Sequence, residues 1–146
     1  WDFHDDGNNP PASIGLPVLA PQADHAVAAF LDDLADRGLT DKIMLVVTGE
    51  MGRSPGKKGG KTNGGTGHWG NLTPLVLAGG GLKVGQVVGK SDAKGGSPAT
   101  DKYTPHHLVS TILQTLFDPA EVRLAPDLPT PLVAAIADGK PIRELV

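Results

Sequence analysis

The chain has no cysteine among its 146 residues, which excludes both a disulfide framework and a thiolate metal site. Any transition-metal ligands must therefore be His, Asp or Glu. Aromatic content is low at 4%, while glycine and proline together reach 33 residues (20 and 13), so a large share of the chain is expected to be loop. No apolar run is read as approaching the ~20 residues of a membrane span, and no signal peptide is visible. There is no GxSxG elbow and no SxxK, and Ser13, Ser54, Ser91, Ser97 and Ser110 lack a paired His and carboxylate in a recognisable order. A covalent nucleophile is not evident. The chain opens on Trp1-Asp2-Phe3-His4 with no preceding Met, and it is read as a fragment whose upstream part is missing.

At 39% hydrophobic, the chain suits one domain over residues 1–146, long enough to bury a core. The net charge of −3 hides a polarity. From Trp1 to Asp41 there are eight aspartates against one Arg, whereas from Gly49 to Lys90 there are six Lys or Arg against Glu50 alone. The basic segment favours an anionic ligand. Lys57, Lys58 and Lys61 lie among glycines without the GxxxxGK[ST] order of a P-loop, so a solvated basic loop is favoured over a nucleotide cradle. No nucleic-acid or membrane partner is expected.

The stretch that organises the rest runs from Ile43 to Gly70. Apolar and β-branched residues 43–48 predict a buried strand, and Gly49, Gly52 and Pro55 end it in a glycine-rich loop that reaches His68. A helix is predicted from Pro21, with Val27, Phe30, Leu31 and Leu34 on one stripe and Gly38 as its stop. Residues 72–78 predict a second strand ended by Gly79, Gly80 and Gly81, and Gln86 to Gly89 a short edge strand. Thr104 and Pro105 begin another helix, whose apolar residues Leu108, Val109, Ile112, Leu113, Leu116 and Phe117 are expected to pack on a sheet before Asp118-Pro119 ends it. A last weak helix covers Pro131 to Asp138. Helices alternating with apolar strands predict a layered α/β domain with a mostly parallel sheet.

In open α/β sheets ligands bind beyond the carboxyl ends of the strands, which places Glu50, Arg53 and His68 where chemistry is usual. Asp2 and His4 are two apart, so on an extended strand both side chains share one face and could share one metal. The plain alternative is a frayed terminus. His68 is the candidate third ligand, because Asp plus two His is a recurrent open Zn²⁺ set; its alternative is an exposed loop histidine. Glu50 fits a metal ligand or general base, and Arg53 fits a holder of phosphate or sulfate. A simple Glu50–Arg53 surface pair fits the same residues. His106 and His107 are read as first-turn capping residues, and His25 as an exposed one.

Taken together, WDFH, LVVTGEMGRSP, GHWGNLTPLVLAGGGLKVGQVVG and TPHHLVSTILQTLFDP resemble the C-terminal half of a bacterial sulfatase-like family, the domain of unknown function 1501. That family in turn looks like a branch of the alkaline phosphatase and sulfatase superfamily. The resemblance implies a layered α/β/α sandwich truncated on its N-terminal side, with Asp2, His4 and His68 holding one metal. That metal is Zn²⁺, or another divalent ion such as Mn²⁺ or Ca²⁺. Glu50 stands where a second metal's ligand pair begins, but Met51 replaces that pair's histidine and Gly67 stands where Asp usually precedes the late His. The activity implied is hydrolysis of phosphate or sulfate esters, with Glu50 and Arg53 as catalytic residues and a small anionic ester as substrate. The competing reading is a non-catalytic anion- or metal-binding half-domain. The resemblance also implies a bacterial periplasmic or exported protein, with a cytoplasmic one left open. A truncated sheet leaves apolar faces for a second copy to cover, so a homodimer is expected.

Overall fold

A computed structural model describes residues 12–55 and 67–146. In chain order the elements are helix α1 (Ala12–Asp36), strands β1 (Met44–Thr48), β2 (Gly52–Arg53), β3 (His68–Trp69) and β4 (Leu75–Gly79), then helices α2 (Pro105–Leu116), α3 (Pro119–Leu124) and α4 (Thr130–Ala137).

α1 starts nine residues before the predicted Pro21 and runs through Pro17 and Pro21. Each proline lacks the N–H that would reach the carbonyl four residues back, so the missing bonds fall at Ser13 and Pro17, one above the other on a single side. Read as continuous helix, this segment is long and apolar enough to cross a bilayer by length and composition, which corrects the reading that no run is. The mostly buried core helix of a soluble protein and a signal sequence pass the same test, and in this helix 6% of the apolar window is buried. The C-terminus follows the expected chemistry: Gly38 takes φ +64°, its N–H donates to Ala35 O and that of Leu39 to Leu34 O. That pair of bonds is a Schellman stop, and it needs a residue free of a Cβ at the left-handed position.

β1 pairs with β4 antiparallel, from Met44 opposite Gly79 to Thr48 opposite Leu75, and β2 pairs with β3 antiparallel. The predicted parallel pairing is not seen among the described residues. The predicted strand at 86–89 is also absent; Gln86 instead spends its side-chain amide on the carbonyls of Lys83 and Glu144. Gly79 lets the chain turn out of β4, because a Cβ there would stand 2.3 Å from Ile43 O.

The core lies where the chain's end folds back on this ribbon. Leu82, Ile142 and Leu145 are buried together, with Met44, Leu75, Leu77, Val88 and Tyr103 packed around them. α2 departs from its expected packing: its main neighbour among the described elements is α4. Its buried residues are Ser110 and Thr111, while Val109, Leu116 and Phe117 stay exposed. Polar atoms decide this. Gln114 Nε2 donates to the carbonyls of Ile136 and Gly139, and Thr111 Oγ1 accepts the N–H of Ile142, so the hydroxyl and amide face is the one that finds partners. A short helix, α3, follows where Asp118-Pro119 was expected only to stop α2, because Asp118 accepts the Ala120 N–H as an N-cap. Val47 and its cross-strand partner Val76 are among the apolar residues left exposed.

Candidate functional site

Three of the five predicted site residues are described, and they come together. Arg53 lies directly opposite His68 in the β2–β3 pair, and opposed residues of an antiparallel pair project on the same face. Glu50, three residues before Arg53, reaches both. Its Oε1 accepts from Arg53 Nη2 at 2.7 Å and stands 3.8 Å from His68 Nε2. The other two, Asp2 and His4, lie outside the described residues, as do Lys57, Lys58 and Lys61. Among the described residues no three His, Asp or Glu gather as a metal set.

The pairing of Glu50 and Arg53 is the surface ion pair weighed from the sequence, and with side chains 57% and 30% exposed it contributes at most about 1 kcal/mol. One detail goes beyond a surface pair. Arg53 Nη1 is buried and has no hydrogen-bond partner among the described residues, although a buried donor left unmatched costs about 1–3 kcal/mol, more for a charged group. One arm of the guanidinium is satisfied by Glu50, and the other is a donor without an acceptor among the described residues.

Local backbone holds these groups in place. Gly52 is buried and lies opposite Trp69. A Cβ on it would fall 1.5 Å from Leu72 O and 2.8 Å from Trp69 O, so only glycine lets the chain pass so near. Ser54 N–H closes the strand pair on Gly67 O. Trp69, next to His68 and so directed to the other face, donates its indole N–H to Gly96 O at 2.7 Å. Gly96 is in turn fixed by Asp92, whose carboxylate accepts the N–H groups of Gly96 and Lys94. Those backbone donors, that of Gly96 first, hold the Asp92 carboxyl below its ordinary range. The sequence reading passed over residues 90–102 as a loop without a motif. The signal it missed is the Asp followed four residues later by Gly, which lets one carboxylate gather successive backbone amides.

His107 caps as expected: its Nδ1 accepts the Thr104 N–H at 3.1 Å. His25 lies on an exposed part of α1.

No curated protein and no solved structure matches the chain significantly. One family model, described as a protein of unknown function (DUF1501), matches residues 1–146. Over its whole described site and its undescribed segments alike, the chain belongs to the DUF1501 family.

Proposed function

We propose that this chain is the metal-binding half of a hydrolase for phosphate or sulfate esters, built on a layered α/β/α sheet of the alkaline phosphatase and sulfatase type. The observation that carries the reading is the unmatched Nη1 of Arg53 beside Glu50 and His68. A planar fork with one arm pinned and the other buried without a partner among the described residues suits one oxygen of a tetrahedral anion that a small side-chain shift would admit. The donor chemistry of Asp2, His4 and His68 suits Zn²⁺, and these three residues would hold it. When bound, the ion supplies Lewis acidity and a water acidic enough to act as nucleophile near neutral pH. Arg53 then orients the ester and matches its negative charge. Glu50 keeps the guanidinium in place and, 3.8 Å from His68 Nε2, is a carboxylate that can accept a proton. The exposed apolar residues of β1, β4 and α2 are faces that this larger sheet, or a second copy in a homodimer, would cover.

The test combines zinc stoichiometry with turnover of aryl phosphate and aryl sulfate esters. His68→Ala is expected to lose stoichiometric zinc and all turnover. Arg53→Ala is expected to keep zinc and to bind competing sulfate about tenfold or more weakly, the size of a charged hydrogen bond. Lys57→Ala should change sulfate binding little. Failure of the unaltered chain to take up zinc overturns the metal assignment.

A second reading, a non-catalytic anion-binding half-domain, rests on the same Arg53 donor, since Nη1 can be satisfied by an anion without turnover. Arg53-dependent sulfate binding with zinc bound and no hydrolysis would favour it. Light scattering during purification reads the oligomer: a clean 15.0 kDa monomer argues against the dimer.

A further inference from the structure

We infer that the cleft between the first turn of α2 and the C-terminal end of α4 is a second binding site, for a small organic anion with a carboxylate or phosphonate-like head. The cleft encloses about 450 Å³ and is lined by His106, His107, Ser110, Asp138, Gly139 and Lys140, among others. That volume lies within the range of small-molecule sites. The site is independent of Arg53, Glu50 and His68.

The assignment comes from which hydrogen-bonding groups in the cleft are already used. At the end of α4 the acceptors are largely spent: Ala134 O takes the Asp138 N–H, Ile136 O takes Gln114, and Ala137 O takes Arg123. The Asp138 carboxylate is matched in charge by the same Arg123 at 3.0 Å. The donors are left over. In the first turn of α2, Pro105 has no N–H, and the N–H groups of His107 and Leu108 both go to Thr104 O. The His106 N–H has no backbone partner among the described residues and belongs to the helix start, where the dipole favours negative charge. Because His107 Nδ1 accepts from the Thr104 N–H, the neutral ring carries its proton on Nε2 as a further donor. Lys140 forms no ion pair with the described residues.

Ser110 is the observation independent of the helix end. It is 94% buried (6% exposed), lines the cleft, and its hydroxyl makes no hydrogen bond to the described residues. Its Oγ is not among the described polar atoms shut off from solvent without a partner, so a ligand in the cleft can reach it. Gly139 keeps it reachable, since a Cβ there would stand 2.4 Å from Ser110 Oγ. A cleft with free donors, spent acceptors and the apolar walls of Val109 and Ala135 selects an oxyanion carried on a small apolar body.

Benzoate and phenylphosphonate, with neutral benzamide as control, are titrated into the ¹⁵N-labelled chain and followed by two-dimensional NMR. The expected result is saturable shifts at the amides of His106, Ser110, Gly139 and Lys140 for both anions and none for benzamide. Lys140→Met should weaken the binding about tenfold and Lys140→Arg should largely restore it, as for a charge-assisted contact. Ser110→Ala should weaken it several-fold, and Arg53→Ala should leave these shifts unchanged. The proposal is overturned if the shifts do not saturate, if benzamide produces them equally, if Lys140→Met binds as well as the unaltered chain, or if Arg53→Ala abolishes them. Lys140 is exposed, so its variants are expected to fold, and the spectrum itself reports whether they do.

Discussion

Thr111 is the residue whose loss should most cleanly separate the helical end of the molecule from its core. It is fully buried; its hydroxyl donates to His107 O at 2.8 Å and accepts the Ile142 N–H at 2.9 Å. Ile142 is itself buried against Leu82 and Leu145, on which β1 and β4 pack through Met44, Leu75 and Leu77. Thr111→Val keeps the shape and replaces the hydroxyl by a methyl. His107 O still has the helical N–H of residue 111, so the only group stranded is the Ile142 N–H. A buried donor without a partner costs about 1–3 kcal/mol, and the added apolar burial returns up to about 1 kcal/mol. The expected net loss is then about 1–2 kcal/mol, a factor of roughly 5–30 in the opening equilibrium. Two measurements check it. Urea unfolding should show a lower midpoint with an unchanged slope, and hydrogen exchange at the Ile142 amide should accelerate by a comparable factor. Thr111→Ser loses one buried methyl, costing about 1 kcal/mol globally, yet should keep Ile142 protected. If Ile142 exchanges as slowly in Thr111→Val as in the unaltered chain, the N–H has another acceptor and the reasoning fails.

Two further expectations follow from the same geometry. Gly52→Ala has no room for its methyl between Leu72 O and Trp69 O, so β2 must move off β3, costing at least about 1–3 kcal/mol. It should lower the thermal midpoint and also weaken sulfate binding that depends on Arg53; unchanged binding would mean the strand pair does not position that side chain. The Asp92 carboxyl is held low by backbone N–H donors, Gly96 first, and that of Glu144 by the Tyr103 hydroxyl. A depressed carboxylate adds stability that is present above its unfolded value near ~4 and is lost as pH falls through the lower folded value. Stability should therefore drop on acidification below about pH 4, and Asp92→Asn should flatten part of that drop in melts taken across the range. An unaltered acid limb in Asp92→Asn would remove Asp92 from the account.

How much of the site was legible in advance differs by residue. Glu50 and Arg53 could be placed from the strand that precedes them, and their ion pair is a short-range contact of three residues. Their nearness to His68, fifteen residues beyond Arg53, was an inference from glycine content and resemblance; the register that puts Arg53 opposite His68 leaves no local trace. The link from Trp69 to Gly96 and the buried Nη1 of Arg53, unmatched among the described residues, were invisible, because a side chain's unmet hydrogen bond exists only once its surroundings are in place.

The sequence by itself determined the elements whose causes lie within a turn or two of chain. Gly38 stops α1, Thr104-Pro105 opens α2 and the apolar runs near 43–48 and 72–78 become β1 and β4, because capping, proline geometry and strand propensity act between near neighbours. Only the tertiary structure decided the rest. The antiparallel pairing of β1 with β4 and the choice of α2's hydroxyl and amide face for burial each depend on partners outside the segment concerned. Periodicity ranks a helix's faces by apolarity, but Thr111 and Gln114 turn inward because the N–H of Ile142 and the carbonyls ending α4 would otherwise go without partners away from water.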